Sequence, residues 1–267
     1  LKGEGSPFPL GKGLGLGPGG LMEQIKPGEV VPDVTQFDVH IRLIVPRYEE
    51  LHEAVLRSIP PDLPENLKIL ELGCGTGELT KKLCDRYPKA RIVAVDYSPR
   101  MLSVCREKLK HFGGRVQLIE GDFATAEFPR DCDVVISTLA IHHLTDPQKL
   151  ELFQKIYKVL KREGWFVNGD VVLFESSRHL FLQEQVRSEH ASARGVDLNA
   201  LDAETHSGAG DNLSTLKTQL NLLEIAGFHS IDVIWKYYQF VVYGGFKHCP
   251  DDEDEQRRRA ASALPDF

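Results

Sequence analysis

The chain has 267 residues, 42% of them hydrophobic, with a formal net charge of −7 and a pI near 5.8. That length suits one large α/β domain or two small ones, and the acidic balance argues against a broad nucleic-acid footprint, which needs a basic face. No apolar run reaches the roughly 18–20 residues needed to cross a bilayer, and the five cysteines form no C-x-x-C pair. The expectation is a cytoplasmic protein with reduced thiols and no membrane contact.

Residues 1–21 are rich in glycine and proline and read as a flexible leader, with native translation starting at Met22. Residues 22–64 read as an N-terminal helical lid. Phe37, Ile41, Ile44, Tyr48, Leu51 and Val55 recur at helical spacing, and Pro46 interrupts them, so two helical pieces with a bend are expected. Residues 65–249 read as the main domain. Strands are expected over 67–72, 91–95, 115–119, 133–138 and 165–173, alternating with helices over 77–86, 99–111 and 147–161. Asp146-Pro147 supplies a cap-then-proline helix start. Such alternation is the mark of βαβ units and a parallel sheet. The segment 175–212 breaks the rhythm, with weak helical spacing at Phe181, Val186 and His190, and is expected to be an inserted cover over an active site. A helix over 214–226 ends at Gly227 as its C-cap. Strands 229–235 and 238–246 lie so close that only an antiparallel hairpin joins them. The remaining residues, 250–267, read as a charged tail in which an acidic block precedes three arginines.

The densest information lies in Leu67-Lys-Ile-Leu-Glu-Leu-Gly-Cys-Gly-Thr-Gly77. A buried strand runs into a loop with glycines at Gly73, Gly75 and Gly77, bare where a ligand must touch backbone. The spacing is G-x-G-x-G, whereas the dinucleotide fingerprint G-x-G-x-x-G would put its third glycine at Glu78. A ligand without a pyrophosphate fits that difference, and Glu71 beside the loop can meet a cationic group. S-adenosylmethionine, with its sulfonium and ammonium groups, is such a ligand. Asp96 ends the second strand, nineteen residues after Gly77. There, at the carboxyl ends of the strands beside the switch point, a carboxylate can accept both hydroxyls of a ribose. Asp122, in Glu120-Gly-Asp-Phe123, ends the third strand; its carboxylate can accept from an adenine amine, while Phe123 offers an amide and an apolar face.

These sites, with Asp133-Val-Val-Ile-Ser-Thr-Leu-Ala-Ile-His-His-Leu144 and Val159-Leu-Lys-Arg-Glu-Gly-Trp-Phe166, resemble the class I S-adenosylmethionine-dependent methyltransferases over about residues 65–172. The resemblance implies an α/β fold: a Rossmann-like, seven-stranded, mostly parallel sheet with the last strand antiparallel and helices on both faces. It implies S-adenosyl-L-methionine as cofactor, with methionine contacts from Gly73, Cys74 and Gly75 and ribose contacts from Asp96. Adenine contacts fall to Asp122 and Phe123, contacts near the sulfonium to Ser137, and Glu71, Tyr97 and Met101 complete the cofactor set. Arg162-Glu-Gly-Trp165 stands where the family usually has Pro-Gly-Gly, a structural turn. A narrower likeness is to the branch that includes carboxy-S-adenosylmethionine synthases. It rests on Ile44-Val-Pro-Arg-Tyr48, Leu222-Leu-Glu-Ile-Ala-Gly-Phe228 and Trp235-Lys-Tyr-Tyr-Gln-Phe240. It implies that Tyr48 touches the methionine end from above, and Arg47 stands where that branch usually has glycine. In that synthase an arginine of the insertion holds the added carboxylate. Arg187 and Arg194 are near here without a matching motif, so carboxyl transfer is not carried over.

His142 and His143 follow the fourth strand, near where a methyl group would be passed. One of them could be a general base, or the pair could be a structural feature, so no catalytic residue is assigned. Asp170, late in the fifth strand, could face the acceptor. A metal-assisted enzyme would carry an acidic residue just after the fourth strand; Ser137-Thr138 stand there, so no metal is expected. The base-methylating signature, Asn or Asp followed by Pro-Pro and an aromatic, is also missing there. The expected activity is methyl transfer to a small-molecule acceptor, with modification of the cofactor sulfonium or a non-catalytic binding role as alternatives.

Overall fold

The computed structural model describes residues 33–200 and 210–247, so the expected leader and charged tail lie outside the described residues. The lid begins with a short 3-10 turn, Val34–Gln36, whose first turn is capped by Asp33. It continues as α1 (Phe37–Ile44) and α2 (Tyr48–Arg57), broken at Pro46 as the sequence predicts. Arg47 takes the turn in the left-handed region, at φ 61°. That conformation favours glycine and costs another residue about 1–2 kcal/mol. Arg47 here reaches Glu50 at 2.6 Å and lies 5.4 Å over the Tyr237 ring.

The strands are β1 (Lys68–Leu72), β2 (Arg91–Asp96), β3 (Val116–Glu120), β4 (Cys132–Thr138), β5 (Leu160–Val171), β6 (Phe228–Tyr237) and β7 (Phe240–Lys247). They form one seven-stranded sheet in the order β3-β2-β1-β4-β5-β7-β6. β1 to β5 are parallel to one another, β7 runs antiparallel to β5, and β6 antiparallel to β7. The chain's last strand is therefore the one that runs against the rest. The order reverses between β1 and β4, and their carboxyl ends form the crevice where open α/β sheets hold ligands. The helices between strands are α3 (Glu78–Arg86), α4 (Pro99–Leu109), α5 (Asp146–Val159), α6 (Ser177–Ser192) and α7 (Leu216–Ala226).

Side chains alternate across each strand, and the two faces bury separate cores. Ile69, Ile92, Val134, Val167 and Val242 pack beneath α2, α3 and α4 with Leu51, Val55, Leu83 and Leu102. Leu70, Val95, Val135, Phe166 and Tyr243 pack beneath α5 and α7 with Phe153, Ile156 and Leu223. Gly169 admits α2 to the sheet, because a Cβ there would meet Val55 at 2.9 Å and Leu51 at 3.0 Å.

Three expectations need correcting. The fifth helix stops at Val159, not 161, and β5 starts at once at Leu160, not 165; the pairing Cys132–Leu160 then jumps to Val134–Trp165. The extra residues carry the turn at Arg162–Gly164, with Glu163 left-handed at φ 60°. The cover, weakly patterned in sequence, holds a sixteen-residue helix, α6, whose Leu180, Phe181 and Leu182 are exposed.

Candidate functional site

β1 delivers the chain into the glycine loop with Gly73, Gly75 and Gly77 at φ 71°, 53° and 83°. Each glycine has a different neighbour. A Cβ on Gly73 would lie 2.3 Å from the Ala140 Cβ, and one on Gly77 2.6 Å from the Cys105 Sγ. Those two glycines are packing requirements. Among the described residues, nothing lies within 4 Å of such a Cβ on Gly75, so open space lies against bare backbone in mid-loop.

Asp96 braces that point. One carboxylate oxygen accepts from the Gly75 N–H at 2.8 Å and the other from the Ser98 N–H at 2.9 Å. The loop is further pinned by Gly73 N–H and Cys74 N–H donating to the Val95 carbonyl at 2.8 and 3.2 Å. An ionised carboxylate has about four lone-pair positions, so capacity remains for ligand hydroxyls. Burial pushes the Asp96 carboxyl up, against the pull of the three backbone donors at Ser98, Gly75 and Tyr97. Phe123 comes from the end of β3 with its ring 3.5 Å from the position of a Gly73 Cβ. Gly73, Cys74, Gly75, Asp96, Phe123 and Ala140 thus meet at the carboxyl ends of β1 to β4. Asp122 beside them is exposed and accepts from its own turn at the Ala124 N–H, 2.8 Å. Tyr97 is half-buried, and Met101 is buried in the first turn of α4, which Ser98 caps.

Two predicted residues sit deeper. The Ser137 hydroxyl is fully buried and donates to the Leu72 carbonyl at 2.9 Å, tying β4 to β1. Glu71 lies under the loop on the α3 side, 1% exposed, and neither of its oxygens has a hydrogen-bond partner of good geometry among the described residues. Desolvation lifts its carboxyl to about 8, the Asp96 charge adding to the rise and Thr80 opposing it. A buried, unpartnered acid is a costly object to keep.

The lid closes on this loop through charged groups. Asp38 of α1 accepts from the Thr76 hydroxyl and from Lys108 Nζ, the latter at 2.5 Å. Arg42 and Lys108 reach the two oxygens of Glu78, each at 2.5 Å. Burial alone would raise Glu78, but Arg42 and Lys108 outweigh it and bring the carboxyl down to about 2. Tyr48 is buried at the start of α2 with the Arg42 guanidinium 5.1 Å over its ring. The cover in turn holds the lid, His190 of α6 meeting the Arg42 carbonyl at 2.9 Å.

On the α5 face a second group assembles. Asp170, which by its place late in β5 could face the acceptor, is wholly buried against His142. It accepts from His142 Nδ1 at 2.6 Å, the His142 backbone N–H at 3.1 Å and Asn168 Nδ2 at 3.2 Å. Asp211 arrives from the cover, 3.5 Å from His142 Nε2 and 3.2 Å from His143 Nδ1. Burial would lower His142, yet Asp170 and Asp211 prevail and raise it to about 10; His143 is lowered by burial. A histidine that keeps its proton well above neutrality is a poor general base. Asp211 is the functional candidate that the sequence reading missed, since no local signal ties residue 211 to residue 142.

Residues 69–164 match the family described as a methyltransferase domain. The chain is 27% identical over 214 residues to a carboxy-S-adenosyl-L-methionine synthase of Campylobacter lari, covering 79% of this chain and 90% of that protein. It is 28% identical over 193 residues to an uncharacterised methyltransferase of Bacillus mycoides, covering 72% and 81%. The domain match, these relatives and the fold all mark the chain as similar to the class I S-adenosylmethionine-dependent methyltransferases. Among solved structures, the fold superposes on an O-methyltransferase from Nostoc punctiforme with TM-score 0.58 and 18% identity, covering 80% of this chain. It also superposes on phosphoethanolamine N-methyltransferase 2 of Haemonchus contortus, solved with S-adenosylhomocysteine, with TM-score 0.57 and 21% identity over 75% of this chain. The chain spans 59% and 42% of those two proteins' lengths. Among the described residues no helix is long and apolar enough to cross a membrane.

S-adenosylmethionine, the cofactor of the matched family, fits the residues around the glycine loop. Gly75 leaves an uncluttered backbone cradle, Asp96 keeps spare acceptor capacity beside it, and Glu71 is an orphaned buried acid under the same loop.

Proposed function

We propose that this methyltransferase moves a methyl group to a small-molecule acceptor by direct in-line displacement. S-adenosylmethionine, when bound, supplies the activated methyl on a sulfonium. The rest of the work is alignment and exclusion of water, and that falls to the chain. On this reading Gly73, Cys74 and Gly75 present backbone to the methionine end, Asp96 takes the ribose hydroxyls, and Asp122 and Phe123 flank the adenine. Glu71, Tyr97, Met101 and Ser137 shape the floor of the site, and Tyr48 closes it from the lid. The observation that carries the reading is the open space against Gly75, faced by the Asp96 brace and roofed by a lid fastened to Thr76 and Glu78. A loop overlain by α1, itself held by α6 through His190, suits a compact acceptor better than a polymer, and the net charge of −7 points the same way.

The test is metabolite profiling with an isotopically labelled methyl donor, with and without the enzyme. A labelled small molecule that depends on the intact Asp96 supports the proposal. Label appearing only in RNA, DNA or protein refutes it. The likeness to a carboxy-S-adenosyl-L-methionine synthase over 90% of that protein's length favours a second reading, modification of the cofactor's own sulfonium. Arg187 and Arg194 both lie on the cover, near Glu184 and His190 respectively. Mass spectrometry of the copurified nucleoside separates the two, since sulfonium modification leaves a cofactor of abnormal mass.

A further inference from the structure

The cluster of His142, His143 and Asp211 is more than a packing contact. The Asp170 oxygens collect the Nδ1 proton and the backbone N–H of His142, so a cation bound at the other nitrogen would displace the Nε2 proton that the two carboxylates otherwise keep on the ring. Nε2 faces the Asp211 carboxylate at 3.5 Å. His143 Nδ1 lies 3.2 Å from the same Asp211 oxygen, is shielded from water, and makes no hydrogen bond of good geometry among the described residues. Two ring nitrogens and one carboxylate oxygen converge on one point, with the Asp170 carboxylate behind them. A proton on Nε2 would answer one of these contacts; a cation in the middle answers all three.

Asp211 is held in place through the residue after it. Its neighbour Asn212 donates its backbone N–H to the His142 carbonyl at 2.8 Å and its side-chain amide to the His143 carbonyl at 2.9 Å. Lys149, fully buried, donates to the Asn212 carbonyl at 2.5 Å. The three ligand atoms lie within 4.8 Å of one another. Bonds of roughly 2.0–2.2 Å to a tetrahedral ion put ligand atoms about 3.3–3.6 Å apart. The 3.5 Å separation to His142 falls within that range and the 3.2 Å separation to His143 just short of it.

We propose that His142 Nε2, His143 Nδ1 and the Asp211 carboxylate form a mononuclear site for a divalent first-row transition ion, with Asp170 orienting the first histidine. Two imidazoles and one carboxylate suit Zn2+ or Fe2+ better than Mg2+ or Ca2+. The carboxylate–histidine–metal relay matches how such histidines are fixed. Three protein ligands leave at least one position open. Ala140, two residues before His142, packs against Gly73 of the cofactor loop, which sets the cluster beside that loop. Building on the methyl-transfer reading, the ion would hold an oxygen or nitrogen donor of the acceptor there. Ser137-Thr138 offer no carboxylate at the end of β4, which is why the sequence predicts no metal; Asp211 arrives instead from the cover.

The test is titration of Zn2+ into the full chain after removal of metal by chelator, followed by calorimetry, with elemental analysis of the dialysed protein. Co2+ serves as a spectroscopic probe of coordination number. The proposal expects one equivalent bound and a low-symmetry Co2+ spectrum. Asp211→Asn and His143→Ala should each weaken binding roughly a hundredfold, and Asp170→Asn about ten- to a hundredfold. Binding of S-adenosylhomocysteine, measured on the same samples, confirms that each variant is folded. No stoichiometric Zn2+ binding by the wild-type chain overturns the proposal and leaves a histidine clamped between carboxylates. Unchanged Zn2+ affinity in both Asp211→Asn and His143→Ala overturns it too. Loss of S-adenosylhomocysteine binding in the wild type with Zn2+ binding intact would instead strike the methyl-transfer reading and leave the ion site standing.

Discussion

Replacing Glu71 by glutamine turns a burial argument into a slope. The carboxyl moves from 4.5 when unfolded to about 8 in the folded protein, so the folded state holds a proton that the unfolded chain has released. A carboxyl shifted upward leaves the protein most stable at low pH. Stability is then lost as pH climbs from about 4.5 to about 8, and levels off beyond. Within that window one extra bound proton corresponds to about 1.4 kcal/mol per pH unit. Across the window this sums to several kcal/mol at most. The glutamine has the same shape and cannot ionise. Its buried amide carries a penalty of its own, but that penalty does not vary with pH. Urea unfolding of both proteins in the ligand-free state, at steps from about pH 5 to about pH 8.5, isolates the effect, since every other titration is shared and cancels. The expected result is a Glu71→Gln protein that gains on the wild type steadily as pH rises. Parallel stability curves would refute the reasoning, showing that Glu71 ionises without hindrance or finds a partner.

The glycine loop makes a contrasting pair. Gly73→Ala should lower stability by roughly 2–5 kcal/mol, overpacking against Ala140 adding to its left-handed backbone, whereas Gly75→Ala meets open space and should lose only about 1–2 kcal/mol through its left-handed backbone while abolishing measurable S-adenosylhomocysteine binding by calorimetry. Asp96→Ala should weaken that binding between several-fold and a hundredfold, the scale of losing charge-assisted hydrogen bonds; an unchanged affinity would remove Asp96 from the site. Arg42→Ala unfastens α1 from Glu78 and should speed amide exchange over residues 37–44 relative to the rest of the chain, by a factor corresponding to about 1 kcal/mol. The difference should shrink in high salt, and salt-independent exchange would show that the ion pairs do not hold the lid.

Some of the site is local, and that part is legible in the chain. A strand running into G-x-G-x-G, an acid at the end of the next strand, and a proline between two helical stretches each depend on residues a few positions apart. Their backbone consequences follow from sterics alone, and the structure shows β1, the positive-φ loop and the break at Pro46. Alternating patterns likewise forecast parallel strands, and the short gap between the expected strands 229–235 and 238–246 forecast the hairpin that sends β7 against the sheet. The weak pattern of the cover hid α6, because exposed Leu180, Phe181 and Leu182 blur the polar face that periodicity needs.

What sequence alone determined is therefore the frame: the order of strands and helices, the bare loop, and the acids at strand ends, all set by short-range geometry and apolar periodicity. The tertiary structure decided who faces whom. It put Asp211 over His142 and His143, turned Asp170 inward, left Glu71 buried without a partner among the described residues, and joined Arg42 to Glu78 across 36 residues. Those outcomes depend on distances between groups far apart along the chain, and only the packed sheet with its lid and cover fixes such distances.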